Sequence, residues 1–143
     1  MEEPTSARAN LLSNRIIGAC IAVHSALGPG LLESAYEACL CHELSLAAIP
    51  FERQRALPVR YKGVALDCGY RLDVVVDSLV VIEIKAVDAL QPVHTAQLLT
   101  YLKLTGISLG LLINFNVTRV GLGVKRVVHK FGQIDDRGAE LQR

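Results

Sequence analysis

Tyr70-Arg71-Leu72-Asp73-Val74-Val75-Val76, then Asp77-Ser78, then Leu79-Val80-Val81-Ile82-Glu83-Ile84-Lys85 is the stretch whose reading decides the fold. Both halves are dense in β-branched residues, which suit a pleated, half-buried surface, and Asp77-Ser78 is a turn signal between them. They read as two antiparallel strands. Each carries charge among apolar flanks: Asp73 in the first, Glu83 and Lys85 in the second. Side chains alternate along a strand, so Glu83 and Lys85 share one face while Ile82 and Ile84 take the other. Arg71, two residues before Asp73, shares that acid's face by the same rule and is a candidate substrate contact.

A carboxylate and an ammonium held within apolar strands are costly unless something compensates them. A divalent cation shared by Asp73 and Glu83 would do so. Mg2+ or Mn2+ suits, as a hard ion that prefers oxygen ligands at about 2.1 Å and keeps several waters. It could orient a phosphodiester and lower the pKa of a bound water, with Lys85 positioning or activating that water. The competing reading is a cross-strand ion pair on a solvated sheet face, against which the apolar flanks argue.

The metal reading makes a demand on register. A two-residue turn at Asp77-Ser78 sets Asp73 opposite Ile82 and separates the two acids, whereas a three-residue loop over 77–79 sets Asp73 opposite Glu83. The sequence therefore predicts the wider loop, or a bulge near Asp73.

Upstream, residues 10–27 carry Leu12, Ile16, Ile17, Cys20, Val23 and Leu27 at helical spacing, and Gly28-Pro29-Gly30 stops the pattern. A second helical pattern spans 32–47 and ends near Ile49-Pro50, so the two predict an N-terminal helical hairpin. Residues 51–61, 66–76 and 79–86 read as three strands in a meander, with turns at Lys62-Gly63 and Asp77-Ser78.

Downstream, Pro92 opens a helix that runs to Leu104 and stops at Thr105-Gly106. His94, Gln97 and Tyr101 recur three and four apart, on one face of it. Residues 108–115 form a continuous apolar run, expected of a strand covered on both sides, and 124–129 read as an edge strand. The whole predicts a single α/β domain over 1–143, a mixed central β-sheet flanked by helices, with an ordered core over about 10–130 and fraying termini, the polar tail from Gln133 included.

Composition narrows the function. With 51% hydrophobic and 20% charged residues, the chain is an ordinary globular protein. Its formal charge of +1 gives no global pull toward a polyanion, so such a partner must be held by a local patch or a metal. Cys20, Cys39, Cys41 and Cys68 show no C-x-x-C spacing and read as reduced thiols. The acidic start has no apolar signal core and no run is long enough to span a bilayer, which predicts a cytoplasmic protein without a membrane partner.

Gly30-Leu31-Leu32-Glu33-Ser34-Ala35-Tyr36 resembles the signature of the GxxExxY protein family, and the resemblance extends from about Leu11 to Lys130. That family is regarded as a branch of the PD-(D/E)xK nuclease superfamily, which implies a restriction-endonuclease-like core. Asp73, Glu83-x-Lys85 and Gln97-x-x-x-Tyr101 fall on superfamily positions, the last resembling the motif of helicase-associated and phage recombination exonucleases. The resemblance implies Asp73, Glu83, Lys85, Glu33, Gln97 and Tyr101 as catalytic residues, and Asp73, Glu83 and Glu33 as metal ligands. His94 joins Arg71 as a secondary candidate for substrate contact; its spacing equally suits a residue that orients the site or one that only decorates the helix end. Glu33 would be the helix-borne acid near the metal; read on its own it is equally an acid favoured by a helical first turn.

The function so implied is a divalent-metal-dependent nuclease that hydrolyses phosphodiester bonds, in DNA in preference to RNA, with a homodimer favoured by analogy to small nucleases that cut two strands. Two alternatives stand beside it: a catalytically silent nucleic-acid-binding or assembly module on the same fold, and an oligomeric scaffold.

Overall fold

The computed structural model describes residues 5–132. The polar tail from Gln133 and the acidic start lie outside the described residues. The first helix, α1 (Thr5–Leu27), begins at Thr5 rather than at Asn10, because the apolar stripe continues back through Ala9, which is buried with Leu12. Helix α2 (Glu33–Leu46) follows after a sharp reversal, in which Gly28 and Gly30 take φ of 67° and 100°, a region that suits glycine. Tyr36 pins this reversal: its hydroxyl donates to the Gly28 carbonyl and accepts the Leu31 N–H. Its ring stacks on Phe115 at 4.5 Å between centroids.

The strands are β1 (Phe51–Ala56), β2 (Val59–Tyr61), β3 (Val64–Leu66), β4 (Arg71–Val76) and β5 (Val80–Lys85). Helix α3 (Pro92–Thr105), β6 (Leu109–Asn114) and β7 (Val124–Val128) complete the order, with a short 3-10 turn at Val120–Gly123. The main sheet has five strands in the order β1-β4-β5-β6-β7. Only β5 and β6 run parallel, joined by the α3 crossover, so the sheet is mixed as expected.

One expectation fails. Residues 51–61 are not one strand: β1, β4 and β5 pair as consecutive antiparallel neighbours, as a meander requires, but a separate hairpin is inserted between β1 and β4. Pro58 has no N–H for a ladder, and Leu57 turns inward, buried against the α3 side, with its N–H donated to the Tyr70 carbonyl at 3.0 Å. The chain then leaves the sheet. β2 and β3 form a separate hairpin at Lys62-Gly63, where φ of 51° and 79° match the reversal that a right-twisted hairpin favours. Leu66 belongs to this hairpin rather than to β4.

Two cores sandwich the main sheet. On one face Val74, Val76, Val80, Ile82, Ile84, Leu109, Leu111 and Ile113 pack with the inward stripes of α1 and α2. On the other, Leu98 and Leu102 of α3 cover Val75, Val81 and Leu112. Each such aliphatic side chain contributes about 1.5–3 kcal/mol when fully buried. β6 is buried along its whole length, as its apolar run predicts. Beneath α3 stands Gly110, where an added Cβ would lie 3.0 Å from the Leu98 side chain.

Candidate active site

The turn between β4 and β5 sets the site. Asp77 and Ser78 have φ of 51° and 54°, and the Leu79 N–H donates to the Val76 carbonyl at 2.9 Å, as in a two-residue reversal. Yet the ladder pairs Val76 with Val80, Val75 with Val81 and Val74 with Ile82. Leu79 is thus an additional residue, the register is that of the wider loop, and continuing the count places Asp73 opposite Glu83.

Backbone pairing stops there. Asp73 is absent from the ladder with β5 and also from that with β1, where Gln54 stands opposite it at φ 50°. Leu72 and Val75 both pack on the α3 side while Val74 packs on the other, so the period-two alternation slips near Asp73, although the register with β1 is the same on both sides of it. Arg71 has partners of its own. Its guanidinium is exposed and turns to the Tyr70 carbonyl at 2.9 Å and to Asp67 at 3.8 Å.

Side chains bridge the opened strands. The Asp73 N–H donates to Glu83 Oε1 at 3.3 Å, and the Ile84 N–H donates to Asp73 Oδ2 at 2.8 Å. Glu83 is buried, and neither acid forms an ion pair with a lysine or arginine among the described residues. Burial, and then the neighbouring charge of Asp73, push the Glu83 carboxyl up to about 8. Burial also raises Asp73, with Glu37 adding to it, while the Ile84 amide and Lys85 pull the other way. Lys85 is half-buried on the same strand, two residues from Glu83.

Gln97 and Tyr101 meet as their spacing predicts. The Gln97 side-chain amide donates to the Tyr101 hydroxyl at 2.7 Å. Burial, and next the charge of Glu83, raise the Tyr101 hydroxyl, which keeps it protonated and a donor beside the acids. His94 lies at the start of α3, where its Nδ1 accepts the Gln91 N–H at 3.0 Å in a reciprocal cap, leaving Nε2 to carry the ring proton.

Glu33 is an exposed first-turn residue of α2, with no hydrogen bond or ion pair among the described residues. The acid of that helix which is linked to Asp73 is Glu37, buried one turn later. Glu37 accepts from Arg53 at 3.0 and 3.3 Å and from the Gln54 amide at 2.7 Å, and the same amide reaches Asp73 Oδ1 at 3.4 Å. The sequence reading passed over Glu37, although its position four residues after Glu33 puts both on one face of α2. It also missed Asn114, whose buried amide accepts the Val87 N–H at 3.1 Å and donates to the Val87 carbonyl at 2.9 Å. That clamp fixes the chain leaving Lys85, and a polar residue closing an apolar run was its only sign in the sequence.

Among the described residues no three His, Cys, Asp or Glu side chains are grouped as a ready metal cage. Asp73 and Glu83 offer two oxygen donors, which fits an ion that fills its remaining positions with water and substrate oxygen.

A family model described as the PD-(D/E)XK nuclease superfamily matches residues 10–127. Nucleases of that superfamily generally use divalent metals. No curated protein and no solved structure matches the chain. No helix among the described residues is long and apolar enough to cross a membrane.

Proposed function

We propose, because this chain belongs to the PD-(D/E)XK nuclease superfamily, that it is a divalent-metal-dependent nuclease with its reacting centre at Asp73, Glu83 and Lys85. Within the superfamily we assign it to the GxxExxY branch on Gly30, Glu33 and Tyr36. Its substrate is nucleic acid, DNA in preference to RNA, and its metal is Mg2+, with Mn2+ able to replace it. One observation carries this reading: the buried Glu83 and the half-buried Asp73 converge where β4 and β5 part, and neither forms an ion pair with a lysine or arginine among the described residues.

Asp73 and Glu83 would hold the ion, which supplies a polarised phosphoryl group and an acidified water. The Ile84 amide fixes one Asp73 oxygen, and Gln54 steadies the other against Glu37. Lys85 orients the attacking water and offsets charge on the phosphate. Tyr101, aligned by Gln97, presents its hydroxyl toward the same region. In this reading Glu37, rather than Glu33, is the α2 acid that supports the centre. The free thiols Cys20, Cys39, Cys41 and Cys68 accord with a reducing, cytoplasmic setting, and a homodimer is the proposed assembly.

Calorimetric titration with Mg2+ and Mn2+, on wild type and Asp73→Ala, tests the ion site. Labelled single- and double-stranded DNA and RNA test the reaction. Metal-dependent cleavage that disappears in Asp73→Ala is expected; no metal-dependent cleavage of any substrate would end the hydrolytic reading. A second reading, a nucleic-acid-binding module that does not hydrolyse, is favoured by the lack of a three-ligand cage among the described residues. Salt-sensitive binding without turnover would select it.

A further inference from the structure

Beside the carboxylate pair, α3 and the start of the β2–β3 hairpin border a cleft of about 430 Å³, lined by Val59, Tyr70, Gln97, Thr100, Tyr101 and Leu104. None of these side chains is charged. Tyr70 is 44% exposed, and its ring stands 6.1 Å from that of Tyr101 at 62°, an edge-on pair that leaves aromatic surface open to the cleft. Tyr101 belongs to both places: it lines the cleft and lies within reach of the charges of Glu83 and Asp73.

We propose that this cleft receives one unpaired nucleobase of the strand whose phosphate lies at Asp73 and Glu83, so that the substrate is single-stranded or locally opened nucleic acid. The inference rests on the nuclease reading and adds the substrate class to it. A phosphate has no reason to enter, since no basic side chain lines the walls. A planar, neutral and largely apolar group does: Tyr70 and Tyr101 supply aromatic surface, Val59 and Leu104 aliphatic contact, and Gln97 and Thr100 polar groups for a base edge. A base paired within a duplex is stacked on its neighbours and cannot occupy such a cleft without being turned out. The chain's 5% aromatic content gives little support to an extended stacking groove, and a single-base cleft demands only the two tyrosines.

The test is fluorescence anisotropy of the full chain with a labelled oligothymidylate, with an abasic oligomer of equal length and charge, and with a duplex, Ca2+ replacing Mg2+ to prevent turnover. Wild type should bind the oligothymidylate roughly 10-fold tighter than the abasic strand, the range that base–aromatic stacking supports. Tyr70→Ala should erase that ratio and Tyr70→Phe should keep it. Thr100→Trp, which fills the cleft from the exposed face of α3, should erase it as well, which guards against a folding defect peculiar to Tyr70→Ala. Equal affinity of wild type for both strands, a ratio that survives Tyr70→Ala, or duplex bound as tightly as single strand would overturn the proposal. Metal-dependent cleavage without base dependence would remove this inference and leave the nuclease; base-dependent binding without cleavage would do the reverse.

Discussion

The carboxylate of Glu83 accepts the backbone N–H of Asp73 at 3.3 Å, and that of Asp73 accepts the N–H of the residue after Glu83 at 2.8 Å. Acid side chains thus close the β4–β5 ladder where backbone pairing ends at Val74 and Ile82. Two acid groups are held side by side because backbone amides fix them, not because they attract. Such an arrangement is stable only with a proton or a cation between them.

Neutralising either acid should therefore leave the fold intact and remove the chemistry. In metal-free buffer Asp73→Asn and Glu83→Gln are expected to melt at or above the wild-type temperature, since like-charge repulsion is relieved and the amide oxygen still accepts the bridging N–H. Mg2+ should raise the melting temperature of wild type alone, and cleavage by either variant should fall by about 10²-fold or more. A Mg2+-dependent thermal shift that persists in both variants would refute this arrangement.

The stability of the chelated protein should depend on pH in a definite direction. Glu83 is raised from 4.5 to about 8 in the fold, chiefly by burial and then by Asp73. A raised group stabilises fully below its unfolded value, and that contribution is lost as pH climbs through the folded value. Urea unfolding in EDTA should thus show stability declining from about pH 4.5 to about pH 8, and Glu83→Gln should flatten the decline. A wild-type slope matched by the variant would place the titration elsewhere.

The two acids of α2 should behave differently. Glu33→Ala removes an exposed side chain with no partner among the described residues, and should change stability by less than about 0.5 kcal/mol. Glu37→Ala leaves Arg53 without its acceptor and Gln54 with only its longer contact to Asp73. Because Arg53 is 44% exposed, solvent screens much of that pair, and a loss of about 1–2 kcal/mol is expected by chemical denaturation. It should also weaken Mg2+ binding through the displaced Gln54. Equal effects of the two substitutions would show that Glu37 has no special role.

Two glycines should differ in the same assay. A Cβ at Gly110 meets the flexible Leu98 side chain at 3.0 Å, and Gly110→Ala should cost about 1–3 kcal/mol as α3 adjusts. A Cβ at Gly123 would collide with the backbone carbonyl of Asn114, which cannot rotate away. Gly123→Ala should therefore be the more damaging change and should disturb the Asn114 clamp on Val87. A reversal of that order would contradict the packing at β6.

Local patterns in the sequence determined much of this protein. The alternation and β-branching around Asp73 and Glu83 predict both strands, Pro92 and Gly106 bracket α3, and the apolar run of β6 announces a strand covered on both sides. Each signal acts over a few residues, so it survives without knowledge of the rest of the chain. Even the register of the β4–β5 loop followed from requiring two acids to meet.

What depends on distant segments only the tertiary structure decided. Leu57 turns inward because the core under α3, with Leu98, Tyr101 and Leu102, buries it, which no local propensity encodes. Glu33 and Glu37 are equivalent by helical spacing, and only the packing of α2 beside β1 brings Glu37 to Arg53 and Gln54. The slip at Asp73 arises from backbone pairing abandoned on both sides at once. The cleft at Tyr70 and Tyr101 joins residues from β2, the approach to β4 and α3. Burial and charge coupling are properties of such assembled surroundings, which is why a sequence can nominate acids while the fold alone decides which of them meet.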